Sequence, residues 1–261
     1  MRSRILGATI AAVTLMSSTG GLRAESLFQR LPEPGAWCRY DMIMLSQPKE
    51  LPMALPEQTG RLTVSALDVV EHEGQPHQWI EIEFVIDVPD GTGNAETLSQ
   101  TLIYKFLVQR DQLEEDGEPL EQIARGWKQM MEAEPVEADV ANFGPAEPDA
   151  LIVRFVFGDP LEDRSPVTIP KRLSLDEEEL VSEQGFSGRM PATEVADGLE
   201  MEGEITMWTH DSAAFGVLAA DFVYDAKIST TPEQTLEMQM AVQLELAETG
   251  DGAESKLPDQ R

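Results

Sequence analysis

Three histidines are the first candidates for chemistry in this chain of 261 residues, because imidazole binds metals and transfers protons near neutral pH. His72 and His77 flank the sequence EGQP at 73–76, which is typical of a turn between two antiparallel strands. The two rings could therefore face each other across a hairpin, and His210 could complete a three-histidine metal site. Nothing in the sequence brings His210 to the other two. Exposed turn histidines are the simpler interpretation, and we expect no metal and no other cofactor.

Carboxylates are the second source of candidates, since the chain has 48 Asp and Glu against 19 Lys and Arg. A glycoside hydrolase needs two of them in a cleft, one with its pKa raised by burial. Pairs occur at Glu81 and Glu83 and in the runs 177–179 and 200–204. These residues occupy the polar positions of alternating strands or a charge run, which is typical of a solvated surface. A carboxylate-dependent hydrolase therefore stays an alternative interpretation.

Known motifs of enzymes and cofactor-binding domains are absent from the sequence. It has no Gly-x-Ser-x-Gly elbow, no phosphate-binding loop and no dinucleotide fingerprint, and 159–163 lacks the spacing of a calcium loop. The single cysteine, Cys38, excludes an internal disulfide and predicts a small buried side chain. A net charge of −29 excludes the basic footprint that nucleic acids and anionic membranes require. We therefore predict a protein that is not an enzyme.

The N-terminus has the three parts of a secretory signal peptide. Arg2 and Arg4 precede an apolar run at 5–16, and small and polar residues follow to Ala24. We predict a signal peptide over residues 1–24, cleaved after Ala24, and an exported protein that is periplasmic or secreted. An uncleaved N-terminal anchor is the alternative. No later stretch is apolar over the roughly 20 residues that a membrane-spanning helix needs.

Alternation of apolar and polar residues is the main structural signal in the rest of the chain. It is clearest over 235–246 and recurs over 79–88, 101–109 and 199–208. Weaker strands fit 37–45, 61–70, 151–157 and 215–228. Strands with one apolar and one polar face are typical of an antiparallel sheet. We therefore predict a mainly β (α+β) protein with a curved antiparallel sheet.

One amphipathic helix is predicted, on the open face of this sheet. Pro119 suits a first helical position, and Pro135 would end the helix. Apolar residues recur between them at helical spacing: Leu120, Ile123, Trp127, Met130 and Met131. Periodicity is lost among the prolines and glycines of 159–198, which predicts an irregular segment with at most a short acidic helix near 176–182. Residues 25–261 are expected to form a single exported domain.

The apolar face of the sheet is the place where a ligand could bind. The chain has 12 methionines, which fill irregular gaps and also make adaptable binding surfaces. A sheet with a helix on its open face can enclose an apolar cavity, and a plain packed core is the alternative. The residues expected to line this face are Ile82, Phe84, Tyr104, Phe106, Met207, Met238 and Met240, with Trp127 on the covering helix.

Short stretches of the chain resemble the periplasmic lipoprotein-carrier superfamily of LolA/LolB-like proteins. They are Trp37-x-x-Tyr40, Trp79-Ile80-Glu81-Ile82, Tyr104-Lys105-Phe106-Leu107, and Met207-Trp208 followed by Phe215-Gly216-Val217-Leu218. The resemblance implies an open antiparallel half-barrel capped by helices. It further implies a concave apolar face that binds the acyl chains of lipoproteins, or a sensor or structural module derived from it.

Three functions follow as expectations. The first is an exported acidic protein that binds an apolar ligand, a lipid or an envelope protein in the concave face of a half-barrel. The second is an exported carboxylate-dependent hydrolase, and the third is a structural protein of the cell envelope. Neither nucleic acid nor a membrane span of the mature chain is expected.

Overall fold

The computed structural model describes residues 24–25, 28, 30–49, 55–89, 97–110, 123–138, 156–175, 178–196, 198–231 and 234–257. Fifteen strands lie in these residues. In chain order they are β1 (Ala24–Glu25), β2 (Trp37–Pro48), β3 (Gln58–His72), β4 (Gln75–Pro89), β5 (Thr97–Gln109), β6 (Ile123–Met130), β7 (Val136–Ala138), β8 (Asp159–Pro160), β9 (Glu162–Pro166), β10 (Arg172–Leu175), β11 (Glu178–Val181), β12 (Gln184–Ala196), β13 (Leu199–Thr209), β14 (Val217–Thr231) and β15 (Gln234–Gly250).

Eleven of the strands form one open antiparallel sheet, in the order β7-β6-β5-β4-β3-β2-β15-β14-β13-β12-β9. Strands β2 to β7 form one meander and β12 to β15 a second. Pairing of β2 with β15 joins them. The edge strands β7 and β9 each have one partner among the described residues, so the sheet is not closed there. This confirms the predicted mainly β, antiparallel architecture.

The sheet has an apolar inner face, which alternation along each strand creates. Cα pairing aligns Leu246, Tyr40, Leu62, Phe84 and Leu102 in one row across β15, β2, β3, β4 and β5. The first four of these side chains are buried. The residues between them along each strand point to the outer face, which carries most of the charged side chains. Burying each large apolar side chain of the inner face stabilises the fold by roughly 1.5–3 kcal/mol.

Aromatic rings from outside the sheet cover part of the inner face. The ring centroids of Phe28 and Phe157 are 4.8 Å apart, and those of Phe28 and Phe215 are 5.3 Å apart. Phe157 also lies 5.5 Å from Phe106 of β5. These three rings and that of Phe106 are all buried. Their contacts connect β5 to the start of β14 across the end of the sheet where β2 begins. We call Phe28, Phe157 and Phe215 the aromatic cover.

The predicted amphipathic helix is wrong over its described part, because residues 123–130 form strand β6. A register shift opposite Leu107 and Val108 leaves Ala124 without a Cα partner. This bulge breaks the period of two, and apolar residues on opposite sides of the strand then recur at spacings of three and four. Gly126 also disfavours a helix, by about 1 kcal/mol relative to alanine. No element of the described residues is a helix, and only Val156 and Phe157 have helical backbone.

The segment 159–198 is also more regular than expected, since it holds five strands. β12 pairs with β13 along its length, with two register shifts that interrupt the sequence pattern. β10 and β11 form a hairpin in place of the expected acidic helix. Pro166 is tolerated because β9 lies at the sheet edge, where a missing backbone N–H costs no hydrogen bond. Pro191 lies in the register shift of β12 between Met190 and Thr193.

Candidate functional site

The inner face divides into a covered end and an open end. At the covered end, five of the residues predicted to line a ligand site are buried: Ile82, Phe84, Tyr104, Phe106 and Met207. Ile82 and Tyr104 are Cα partners, and the rings of Tyr104 and Phe106 stack 5.6 Å apart. Because the aromatic cover packs against Phe106, these residues are in contact with protein rather than with an empty cleft.

The buried polar side chains at the covered end include Tyr40 and Gln78. Gln78 Nε2 donates to two backbone carbonyl oxygens, whereas Gln78 Oε1 has no partner among the described residues. The Tyr40 hydroxyl donates a hydrogen bond to the carbonyl oxygen of Val217 at 3.0 Å. Burial raises the pKa of this phenol well above its ordinary value, and the neighbouring Cys38 adds to the rise. Cys38 is fully buried, which confirms its predicted role as a small core residue. The chemistry of this end is therefore that of a packed core.

The open end lies where β2 finishes and β15 begins. Several of its apolar side chains are only partly buried, whereas Tyr224 and Ala226 of neighbouring β14 are buried there. Five of the partly buried side chains pack against the core without being enclosed by it: Met44, Ile86, Leu199, Met240 and Val242. Met44 is the Cα partner of Val242, and Met240 lies one position further along the same face. Met238 is half-buried beside them. Two of the predicted lining residues, Met238 and Met240, therefore lie together at an apolar surface that water can reach.

Trp127 is not on a covering helix, which corrects its predicted position. Its Cα pairs with that of Lys105, so its indole is on the outer face. The guanidinium of Arg125 lies 5.8 Å from the indole centroid. Its Nε1 is buried and has no hydrogen-bond partner among the described residues. Trp127 is therefore separated by the sheet from the other seven predicted lining residues.

A second candidate site, which the sequence did not predict, lies on the outer face of β4 and β5. Glu81 and Lys105 are Cα partners there, and both are buried. Lys105 Nζ donates to Ser255 Oγ at 2.9 Å, and this hydroxyl lies 2.7 Å from Glu81 Oε2. The backbone N–H groups of Lys256 and Leu257 also donate to the Glu81 carboxylate, at 2.9 and 3.3 Å. The Glu81 carboxylate thus helps to hold the segment 251–257 over the sheet.

A cavity of about 540 Å³ adjoins this cluster. Its walls include Trp79, Lys105 and Ser255, together with Asp68 and Glu254. A lysine next to a serine beside a cavity is the arrangement of some hydrolases, in which the amine removes the hydroxyl proton. Here the ammonium of Lys105 donates to Ser255, and the Ser255 hydroxyl donates to Glu81 and the Leu257 carbonyl, so the lysine is not placed to remove the hydroxyl proton. The arrangement is that of a clamp for the C-terminal segment.

Glu81 was predicted to be a solvated surface residue, and this prediction is wrong. One signal in the sequence could have corrected it. Lys105 lies between Ile103 and Leu107 on the outer side of β5, and all three are buried. A lone lysine within an apolar run predicts a covered face and a buried partner charge.

The other carboxylates and the histidines do not assemble a reactive centre. Burial raises the pKa of Asp221, and Glu245 adds to the rise while Lys171 opposes it. This group is not among those that line the cavity. The His72 and His77 rings meet edge to face at 5.1 Å across the hairpin, whereas His210 lies 4.0 Å from Glu183. His77 is buried and His72 half-buried, so the expectation that the turn histidines are exposed is wrong. Within the described ranges, no group of three or more His, Cys, Asp or Glu side chains could hold a metal ion.

Comparison with known proteins gives matches among solved structures alone. No protein-family model matches the chain, and no curated protein does. A "putative lipoprotein" from Parabacteroides distasonis ATCC 8503 is 11% identical, with a TM-score of 0.28, over 87% of this chain and 100% of the other. A LolA superfamily protein from Nitrosomonas europaea is 10% identical, with a TM-score of 0.24, over 90% of this chain and 91% of the other.

Proposed function

We propose that this chain is an exported, non-enzymatic binding protein that holds the acyl chain of a lipid against the open end of its inner face. The observation that carries the proposal is the half-burial of apolar side chains there, beside a fully packed covered end. Methionine side chains adapt to ligands of irregular shape, and Met44, Met238 and Met240 lie together at this end.

The affinity of the open end for acyl chains can be measured with a fluorescent C16 fatty acid. Met240→Glu should raise its Kd about tenfold or more, because a carboxylate would replace an apolar contact with the chain. Val223→Glu is the matched control, since Val223 is 41% exposed on the outer face of neighbouring β14. Native mass spectrometry of the unmodified protein supplies a second readout. Failure of the unmodified protein to take up the fatty acid, or equal Kd values for both variants, would refute the proposal.

Export is the second part of the proposal, and its support is the charged and apolar pattern of residues 1–24. The residues that precede Ala24 lie outside the described part of the chain. N-terminal sequencing of the protein recovered from a secreting host should give Glu25 as the first residue. Recovery of an intact Met1 would mean that the segment is not cleaved. For the described residues, no helix is both long and apolar enough to cross a bilayer.

A further inference from the structure

The turn between β6 and β7 exposes an unusual amount of apolar surface. Met130, Met131 and Val136 are 53%, 60% and 51% exposed. We call these three residues the β6–β7 rim. Single exposed apolar residues are ordinary, but contiguous ones mark surfaces that interact with a partner. Met130 is the Cα partner of half-buried Leu102, so the rim continues the inner face outward.

The backbone holds the rim in a fixed and strained shape. Met131 has a φ of 52°, in the left-handed region where glycine and asparagine are the usual residues. Hydrogen bonds fix the turn around it, from Met131 N to the Thr101 carbonyl and from Ala133 N to the Met130 carbonyl. Gln129 Nε2 also donates to the Ala133 carbonyl at 2.9 Å. Glycine would adopt this backbone conformation without strain, and the exposed Met131 side chain adds no packing to the core. The presence of methionine at this position therefore points to a role in binding.

The charges bordering the rim select the chemistry of the partner. Glu132, Glu134 and Glu137 are all exposed next to it, and half-buried Lys128 is the Cα partner of Val136. Glu137 pairs with Arg125 at 3.4 Å, whereas Glu132 and Glu134 have no partner among the described residues. Two exposed carboxylates flanking apolar side chains repel an anionic surface and attract a cationic one. The complementary partner has basic side chains around an apolar stripe.

We propose that the β6–β7 rim is the docking site for a basic amphipathic helix of a partner protein. Methionines are common on surfaces that receive such helices, because their flexible side chains adapt to different apolar anchors. The proposal is independent of acyl-chain binding, since it uses the outermost apolar residues and the carboxylates beside them. Met130 and Met131 supply the apolar contact, and Glu132 and Glu134 orient the basic side chains.

The test uses a fluorescein-labelled amphipathic peptide of about 18 leucine and lysine residues, long enough for five helical turns. Its binding to the full chain is followed by fluorescence anisotropy at about 0.15 M salt and again at about 0.5 M, where surface charges are largely screened. The double variant Met130→Ser/Met131→Asn should raise Kd about tenfold at both salt concentrations. Asparagine tolerates the left-handed backbone, so this variant keeps the fold. Glu132→Gln/Glu134→Gln should weaken binding mainly at low salt.

Ile169→Ser is the matched control, because Ile169 is 75% exposed at a site away from the rim. It should leave Kd unchanged. Equal Kd values for the methionine variant and the unmodified chain would overturn the proposal, since binding would then be adsorption driven by net charge. Binding to vesicles of phosphatidylcholine that depends on the methionines, without binding of the peptide, would also overturn it. That outcome would assign the rim to a membrane surface.

Discussion

Replacing Glu81 with alanine should lower the free energy of unfolding by about 3–5 kcal/mol, the usual cost of removing one partner from a buried ionic network. The carboxylate accepts hydrogen bonds from Ser255 and from the backbone of Lys256 and Leu257. Without it, the buried ammonium of Lys105 loses its neighbouring opposite charge, and the C-terminal segment loses its anchor. Urea denaturation followed by tryptophan fluorescence measures the change.

Glu83→Ala is the matched control for this prediction. Glu83 lies two residues further along the same face of β4, and its carboxylate is 2.5 Å from Lys256 Nζ. That lysine is half exposed, so the loss should be about 0.5–1 kcal/mol. Glu81→Leu combined with Lys105→Met should recover much of the stability, because it removes both buried charges together. A loss for Glu81→Ala no larger than that for Glu83→Ala would show that the clamp contributes little.

The sequence predicted most strands of the sheet, because alternation directly reports a strand with one buried face. β4, β5, β13 and β15 follow this rule over most of their lengths, with Cα pairing in the register that alternation requires. The prediction for β6 was wrong because one bulged residue, Ala124, shifts the apolar pattern into a spacing that resembles that of a helix. β12 was not predicted for a related reason, since its register shifts at 190–196 interrupt the alternation of apolar and polar residues.

The candidate site was less predictable than the sheet, because burial depends on contacts between distant parts of the chain. Alternation placed Phe106 and Met240 on the inner face, yet it could not separate the covered end from the open end. That separation depends on Phe28, Phe157 and Phe215, which lie outside the main sheet. The clamp at Glu81 likewise joins residues 174 positions apart in the chain. No local pattern carries such information.

Phe157→Ala should also lower the free energy of unfolding by about 3–5 kcal/mol, because it leaves a cavity in a packed aromatic cluster. Phe157 is fully buried and contacts both Phe28 and Phe106, so it connects the aromatic cover to the sheet. Ile169→Ala is the control at an exposed site, with an expected change within about 0.5 kcal/mol. Thermal and urea denaturation should rank the two variants in this order. Equal stabilities would mean that the cover does not hold the inner face.

The milder variant Phe157→Leu then separates the two ends of the inner face as ligand sites. Leucine keeps most of the apolar volume, so the variant should fold and its cover should be loosened rather than removed. If acyl chains bind at the open end, Phe157→Leu should change the Kd of the fluorescent fatty acid by less than about twofold, whereas Met240→Glu raises it about tenfold. Tighter binding by Phe157→Leu would instead place the acyl chain beneath the cover, against Phe106 and Tyr104. The comparison thus tests the position of the ligand independently of its presence.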